Sequence, residues 1–185
     1  YVSAAWKNNC MEERLLGVSL TGIMDNSLTN GKSKNKTYPI ENLLQDLKRI
    51  AVDTNKEWSE KLGIPQAAAI TCVKPSGTVS LQVLLLLVDA ASGIHARHNP
   101  YYIRTVRGDK KDPLTKMMTD IGFPVEDDVM NPSNTAVFSF PMKVHSDAVF
   151  RTDMTAIEQL ELWLTYQKNW CEHKPSVTIS VKEHE

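Results

Sequence analysis

Residues 74–80, Lys-Pro-Ser-Gly-Thr-Val-Ser, combine a glycine with several hydroxyl side chains in a pattern that can hold an anion. Gly77 lets the main chain come close to a ligand, since no Cβ atom intervenes. The surrounding pattern predicts a strand that ends before this segment and a helix that begins within it. The first amide N–H groups of a helix have no partner inside it, and with the helix dipole they form a site for a negative group. Hydroxyl donors would come from Ser76, Thr78 and Ser80, and Pro75 would stiffen the entry.

The residues alone leave two interpretations of this turn open. It is not the phosphate-binding pattern GxxxxGK[ST], because Lys74 precedes the turn. A phosphate cradle and a small-residue helix cap without a ligand fit the segment equally well.

The elements that must position the turn alternate between strands and helices. Apolar residues at three- and four-residue steps predict amphipathic helices, and Thr155-x-x-Glu158 predicts a capping box at the start of one of them. The predicted helices are 41–62, 112–122 and 155–170. The predicted strands are 67–73, 101–106, 135–140 and 176–182, together with a strand that enters a turn within 14–25. Pro141 would end the 135–140 strand. This alternation predicts an α/β fold with a largely parallel sheet or barrel.

The composition is typical of a globular protein. Of 185 residues, 42% are hydrophobic and the formal net charge is −1, so no global field attracts nucleic acid or anionic membranes. Cys10, Cys72 and Cys171 form no CxxC pair, which indicates a reducing compartment and no disulfide framework or zinc site. The longest apolar run, 83–88, is too short to cross a bilayer. We expect a cytoplasmic protein that binds neither membrane nor nucleic acid directly, and both chain ends suggest a piece of a longer protein.

Two other groups of residues have ordinary explanations. His95, Arg97 and His98 cluster in one loop, but no further metal ligand is evident nearby, so a solvated or hydrogen-bonded loop is favoured. Three tryptophans on the apolar faces of predicted helices are expected to pack in the core instead of stacking on a nucleotide. They are Trp58, Trp163 and Trp170.

Five segments, taken together and in this order, resemble the adenosylcobalamin-dependent, or class II, ribonucleotide reductases. They are RLLGVSLTGIMD (14–25), TCVKPSGTVS (71–80), VDAASGIHARHNPYYIRTVR (88–107), FSFPMK (138–143) and EQLELWLTYQKNWCEHKPSVTISVK (158–182). The resemblance implies a ten-stranded α/β barrel. Residues 1–185 would form a C-terminal portion of that barrel, without an internal domain boundary.

The same resemblance gives the turn a role. In the family, a PSGT-like turn at a helix N-terminus binds the phosphates of the ribonucleotide substrate, either a diphosphate or a triphosphate. It therefore implies that the substrate phosphate is bound by Pro75, Ser76, Gly77, Thr78, Val79 and Ser80. The helix-terminus argument points to the same residues.

The resemblance also implies chemistry that this chain does not carry by itself. In the family, adenosylcobalamin initiates a radical on a cysteine of an Asn-x-Cys-x-Glu loop, and a further cysteine pair supplies electrons. Cys10 has a different spacing and lies just before the 14–25 segment, so we give it no radical role and assign no catalytic or metal-binding residue. We expect the chain alone to be inactive. The complete enzyme would make deoxyribonucleotides for DNA replication with adenosylcobalamin, the N-terminal remainder of the barrel and an external dithiol reductant such as thioredoxin.

Residues Leu81–Leu87 lengthen the connection between Ser80 and Val88 relative to the family pattern. A lineage variation, the scar of a removed or misread element and a contact with a partner could each explain this apolar extension, and we favour the scar.

An alternative function is that of a non-catalytic nucleotide-binding or assembly fragment. The chain would then complement a separately encoded N-terminal half. A different phosphate-handling α/β enzyme is disfavoured, because no acid–base or metal constellation emerges.

Overall fold

The computed structural model describes residues 3–32, 38–75 and 90–183. Within these ranges the chain forms two units, one from residues 1–98 with 146–185 and one from residues 99–145. The prediction of one portion of a larger barrel without an internal boundary stays a prediction.

In its described residues, the first unit contains three helices and a pair of short parallel strands. Its elements are α1 (Ala4–Glu13), β1 (Val18–Ser19), a 3₁₀ turn (Ile23–Asp25), α2 (Ile40–Leu62), β2 (Thr71–Cys72), a second 3₁₀ turn (Arg151–Asp153) and α4 (Ala156–Asn169). Val18 pairs with Thr71 and Ser19 with Cys72. The predicted 41–62 helix is confirmed, as is the capping box of α4, in which the Glu158 amide donates to Thr155 Oγ1 over 3.1 Å.

The core of this unit lies where α2, α4 and the loops after β1 and β2 meet. Leu44 of α2 and Tyr166 of α4 have no exposed surface, and the Tyr166 hydroxyl donates to the Thr29 carbonyl over 2.9 Å. The other buried members are Ile23, Met24, Val73, Ala91, Ile94, Val149, Met154, Leu162, Trp170 and Cys171. Segments on both sides of the predicted phosphate turn thus belong to one core.

The second unit is a three-stranded antiparallel sheet with one helix. Its elements are β3 (Tyr101–Asp109), α3 (Pro113–Asp120), β4 (Val125–Asp127) and β5 (Thr135–Lys143), with strand order β3-β5-β4. Asp112, at the start of the predicted 112–122 helix, caps α3 by accepting the Leu114 amide over 2.8 Å. Phe123 packs on Phe138 and Phe140.

The structure corrects three predictions about strands. The paired strands in the described part of the chain are mostly antiparallel, so the largely parallel sheet is wrong for these residues. Pro141 does not end β5, because β4 pairs only with residues 136–138 and leaves Pro141 with a neighbour on one side. Residues 176–182 form no strand. Their hydrogen bonds come from α4 instead, where the Gln159 side chain contacts both the amide and the carbonyl of Ser180 over 3.3 Å.

No helix within the described residues is long and apolar enough to span a membrane.

Candidate phosphate-binding site

The strand that leads into the turn emerges from the core one residue before Lys74. Val73 is buried, whereas Lys74 and Pro75 are exposed. The Lys74 amide donates to Ser19 Oγ of the neighbouring strand over 3.0 Å. The chain is therefore fixed at the entry to the turn and faces solvent there.

Of the predicted phosphate-binding residues, Pro75 is the member that the structure describes. Ser76, Gly77, Thr78, Val79 and Ser80 lie outside the described residues, as does the Leu81–Leu87 extension. Their phosphate-binding role stays a prediction.

A glycine loop packs directly against the end of this strand. Gly93 has a φ of +54°, and a Cβ atom at this position would lie 2.9 Å from the Lys74 carbonyl oxygen and 3.3 Å from Val73 Cγ1. Both the left-handed backbone and the close approach require glycine. The Gly93 amide donates to Thr21 Oγ1 over 3.1 Å, which ties this loop to the segment after β1.

A buried ion pair reinforces the same junction. Arg97 Nε donates to Asp25 Oδ1 and Arg97 Nη2 donates to Asp25 Oδ2, each over 2.9 Å. Asp25 Oδ2 also accepts the Ala91 amide over 2.5 Å. Only 6% of the Arg97 side chain and 14% of the Asp25 side chain are exposed. A planar guanidinium and a carboxylate in this two-bond arrangement fix the relative orientation of their segments.

The segment after α4 holds β2 from another direction. The Thr71 hydroxyl donates to the Trp170 carbonyl over 2.5 Å, and Trp170 Nε1 donates to the Cys72 carbonyl over 2.7 Å. The Glu172 amide donates to the Thr71 carbonyl over 2.9 Å. Trp170 is buried, so its prediction as a core residue is confirmed.

The Glu172 carboxylate completes this contact. Glu172 Oε2 accepts the amides of Ile70 and Thr71 over 2.5 and 3.1 Å. Burial raises the pKa of Glu172, but the two amides and the Lys48 charge favour the ionised form and bring that pKa below its ordinary value. The strand that carries the turn is thus held by an ionised side chain.

A cationic side chain stands at the entry to the turn. Lys74 Nζ lies 3.2 Å from His173 Nε2, and His173 Nδ1 lies 2.9 Å from the Lys174 carbonyl oxygen. The carbonyl requires a donor at Nδ1, and Nε2 faces the ammonium group of Lys74, which can only donate. The positive charge of Lys74 can attract an anion.

The His95, Arg97 and His98 loop is hydrogen-bonded, as favoured from the sequence. His95 Nδ1 lies 2.9 Å from the Ser92 carbonyl oxygen, and Arg97 pairs with Asp25. Among the described residues, no group of three or more histidine, cysteine or acidic side chains is placed to hold a metal ion.

The cysteines occupy different environments. Cys10 is exposed on α1, whereas Cys72 and Cys171 are buried. Burial, with a smaller contribution from Cys72, raises the pKa of Cys171 to about 11. A thiol with so high a pKa stays protonated near neutral pH, so Cys171 is a buried structural residue and a poor nucleophile.

Sequence reasoning missed the residues that hold the turn in place. Asp25 pairs with Arg97, and Glu172 accepts backbone amides at the start of β2. Each contact joins positions far apart in sequence. Gly93 carried a local signal, because glycine adopts a positive φ far more readily than other residues. All four residues lie in segments that carried the family resemblance.

Comparison with solved structures identifies the class of fold. The chain matches a B12-dependent (class II) ribonucleotide reductase with a TM-score of 0.71 and 24% identity, over 94% of this chain and 27% of that enzyme. The fold is therefore that of a segment of a class II ribonucleotide reductase. The described residues form a two-stranded and a three-stranded sheet, so the ten-stranded barrel stays a prediction.

Sequence relatives narrow the class to one kind of reductase. The chain is 31% identical in sequence to the adenosylcobalamin-dependent ribonucleoside-triphosphate reductase of Euglena gracilis. The match covers 92% of this chain and 22% of that enzyme. It is also 31% identical to a probable adenosylcobalamin-dependent ribonucleoside-triphosphate reductase of Dictyostelium discoideum. That match covers 92% of this chain and 21% of the relative. A comparison with models of protein families found no match.

The chain is thus a homologue of part of the adenosylcobalamin-dependent ribonucleotide reductases, which confirms the resemblance stated from the sequence. It spans about a fifth of the length of these relatives.

Proposed function

We propose that this chain is the part of an adenosylcobalamin-dependent ribonucleotide reductase that binds the phosphates of the ribonucleotide substrate. The observation that carries the proposal is the fixed, solvent-facing exit of β2 at Lys74 and Pro75. It leads straight into the segment Ser76–Ser80, whose residue types suit an anion.

The contacts around this exit support the proposal physically. Phosphate binding through main-chain amides requires that the amides be held in place before the ligand arrives, because ordering them during binding lowers the affinity. The Gly93 loop, the Asp25–Arg97 pair and Glu172 contact the strand or the segments beside it. Lys74 adds a positive charge at the entry.

The complete enzyme would supply the remaining parts of the reaction. Adenosylcobalamin would initiate the radical chemistry, and the N-terminal remainder of the barrel would carry the radical cysteine. In the described part of the chain, every buried side-chain nitrogen or oxygen has a hydrogen-bond partner. We assign the cofactor to the complete enzyme and expect this chain alone to be inactive.

The proposed partners follow from the proposed reductase function. The substrate would be a ribonucleoside diphosphate or triphosphate, electrons would come from an external dithiol such as thioredoxin, and the enzyme would act in the cytoplasm in support of DNA replication. The relatives are named ribonucleoside-triphosphate reductases, which favours a triphosphate. The small share of each relative that the chain covers also keeps the complementing fragment as the second candidate.

Isothermal titration of the complete enzyme tests the phosphate role. Thr78→Pro removes one backbone amide, whereas the matched variant Thr78→Ala keeps it and removes the hydroxyl. Hydrogen bonds to charged groups contribute about 1.5–3 kcal/mol, so we expect Thr78→Pro to weaken ribonucleotide binding by roughly tenfold to a hundredfold.

The free nucleoside serves as the internal control for this titration. It lacks the phosphates, so Thr78→Pro should leave its affinity unchanged. Equal nucleotide affinity for the folded Thr78→Pro variant and wild type would remove the phosphate role from this turn.

A further inference from the structure

An apolar groove lies between the end of α1 and the C-terminal half of α2. Its volume is about 560 Å³. We call it the α1–α2 groove. Its lining residues are Cys10, Glu13, Arg14, Leu15, Leu16, Asn55, Trp58, Ser59, Leu62, Ile64 and Pro65.

The large side chains of this groove are open to solvent. Trp58 is 53% exposed, and Leu15 and Leu62 are each 62% exposed. The prediction that Trp58 packs in the core is therefore wrong for this chain. Contiguous apolar surface of this kind on a folded protein marks an interface, because monomers rarely leave it open to water.

Helix α1 gives a second reason to expect a covering partner. None of its ten residues is buried. An isolated helix of this length is marginal in water, since most helical stability comes from packing an apolar face. Trp6 lies one turn before the groove residue Cys10, so the apolar surface continues along α1.

Strand β1 gives a third reason. Within the described residues it pairs only with β2, and Val18 is 43% exposed. A two-stranded sheet is marginally stable by itself. The chain runs directly from the groove residues Leu15 and Leu16 into β1, so the open strand edge continues the same surface.

We infer that the α1–α2 groove is the surface through which this chain binds the remainder of the reductase polypeptide. The occupant would present the apolar face of a helix to Trp58 and Leu62. This inference rests on the proposed function, which supplies the identity of the partner. The matched segment is 27% of the solved class II enzyme, so about three-quarters of that polypeptide lies outside it and is available to cover the groove.

Alkylation of Cys10 provides the test, because it lines the groove and is exposed while the other two cysteines are buried. The rate of iodoacetamide modification at Cys10 is measured with and without the remainder of the reductase polypeptide, produced separately. At about ten times the dissociation constant, roughly a tenth of the chain stays free, so modification should slow about tenfold. No nucleotide is present, so the result does not depend on phosphate binding.

Two variants of α2 show whether protection comes from the groove. Leu62→Lys places a charge in the groove and should weaken association by about thirtyfold or more. Ile50→Lys is the matched control, because Ile50 is 54% exposed on the same helix and does not line the groove. Both substitutions are at exposed positions, and circular dichroism would verify that each variant folds.

Four results would overturn the inference. Association that leaves Cys10 fully reactive would place the interface elsewhere. Equal weakening by Leu62→Lys and Ile50→Lys would do the same. Protection that rises with the concentration of this chain alone would identify a second copy as the occupant. Turnover by the reconstituted enzyme with an unprotected Cys10 would reject the interface while leaving the proposed function intact.

Discussion

The Asp25→Asn substitution tests how firmly the loops around the candidate site are joined. Asp25 accepts two hydrogen bonds from Arg97 and one from the Ala91 amide. Asparagine keeps one acceptor oxygen but turns an amide donor toward a guanidinium that is itself only a donor. The buried Arg97 guanidinium then loses the Asp25 carboxylate as a partner.

The expected cost follows from the burial of this pair. Removing one partner of a buried ion pair destabilises a protein by about 3–5 kcal/mol. We expect about 3 kcal/mol, since asparagine retains one of the acceptors. The control is Glu57→Gln, the same change in the exposed Lys61–Glu57 pair of α2, where the side chains are 55% and 60% exposed. A pair of that kind contributes about 0.3–0.5 kcal/mol.

Urea unfolding followed by circular dichroism measures both variants. With a slope of about 2 kcal/mol per molar urea, Asp25→Asn should lower the midpoint by about 1.5 M, and Glu57→Gln by about 0.2 M. A midpoint for Asp25→Asn within about 0.3 M of the control would refute the view that this pair fastens the loops.

Two further predictions concern the contacts of β2. Gly93→Ala should destabilise the chain by about 1–3 kcal/mol, because its Cβ would lie 2.9 Å from the Lys74 carbonyl oxygen at a φ of +54°. The control is Gly63→Ala, which has a similar φ but no atom within 4 Å of the added Cβ. Equal urea midpoints for the two variants would contradict the prediction. Glu172→Gln should cost about 1 kcal/mol at pH 7 through weaker acceptance of two amides. Because the folded pKa of Glu172 is below its ordinary 4.5, this stabilisation is present above pH 4.5 and is lost as the pH falls through the folded pKa. The urea midpoints of wild type and Glu172→Gln should therefore converge in acid. A difference between them that stays constant with pH would contradict the role of the Glu172 charge. So would an equal drop in the midpoint of the control Glu161→Gln, whose side chain is exposed.

Local sequence signals predicted the helices well. The capping box at Thr155 and Glu158, the Asp112–Pro113 start of α3 and the periodicity of α2 each act within a few residues. Such signals do not depend on the rest of the fold. The helix α1 was missed, although Ser3 caps it by accepting the Trp6 amide over 3.2 Å.

The strands and the contacts of the candidate site depended on distant partners. Alternating Val177, Ile179 and Val181 predict a strand, but the neighbour is the Gln159 side chain of α4 and not another strand. The Asp25–Arg97 pair joins residues 72 positions apart, and no local pattern encodes that pairing. Trp58 lies on an apolar helix face, yet its side chain is 53% exposed in the described part of the chain, so an amphipathic pattern alone could not distinguish a core position from a surface position.

The most direct test of the central claim is a crystal structure of the complete reductase with a bound ribonucleotide. We expect phosphate oxygens within about 2.7–3.2 Å of main-chain amide nitrogens in the segment Ser76–Ser80. A nucleotide bound with its phosphates away from that segment, and with those amides unliganded, would contradict it.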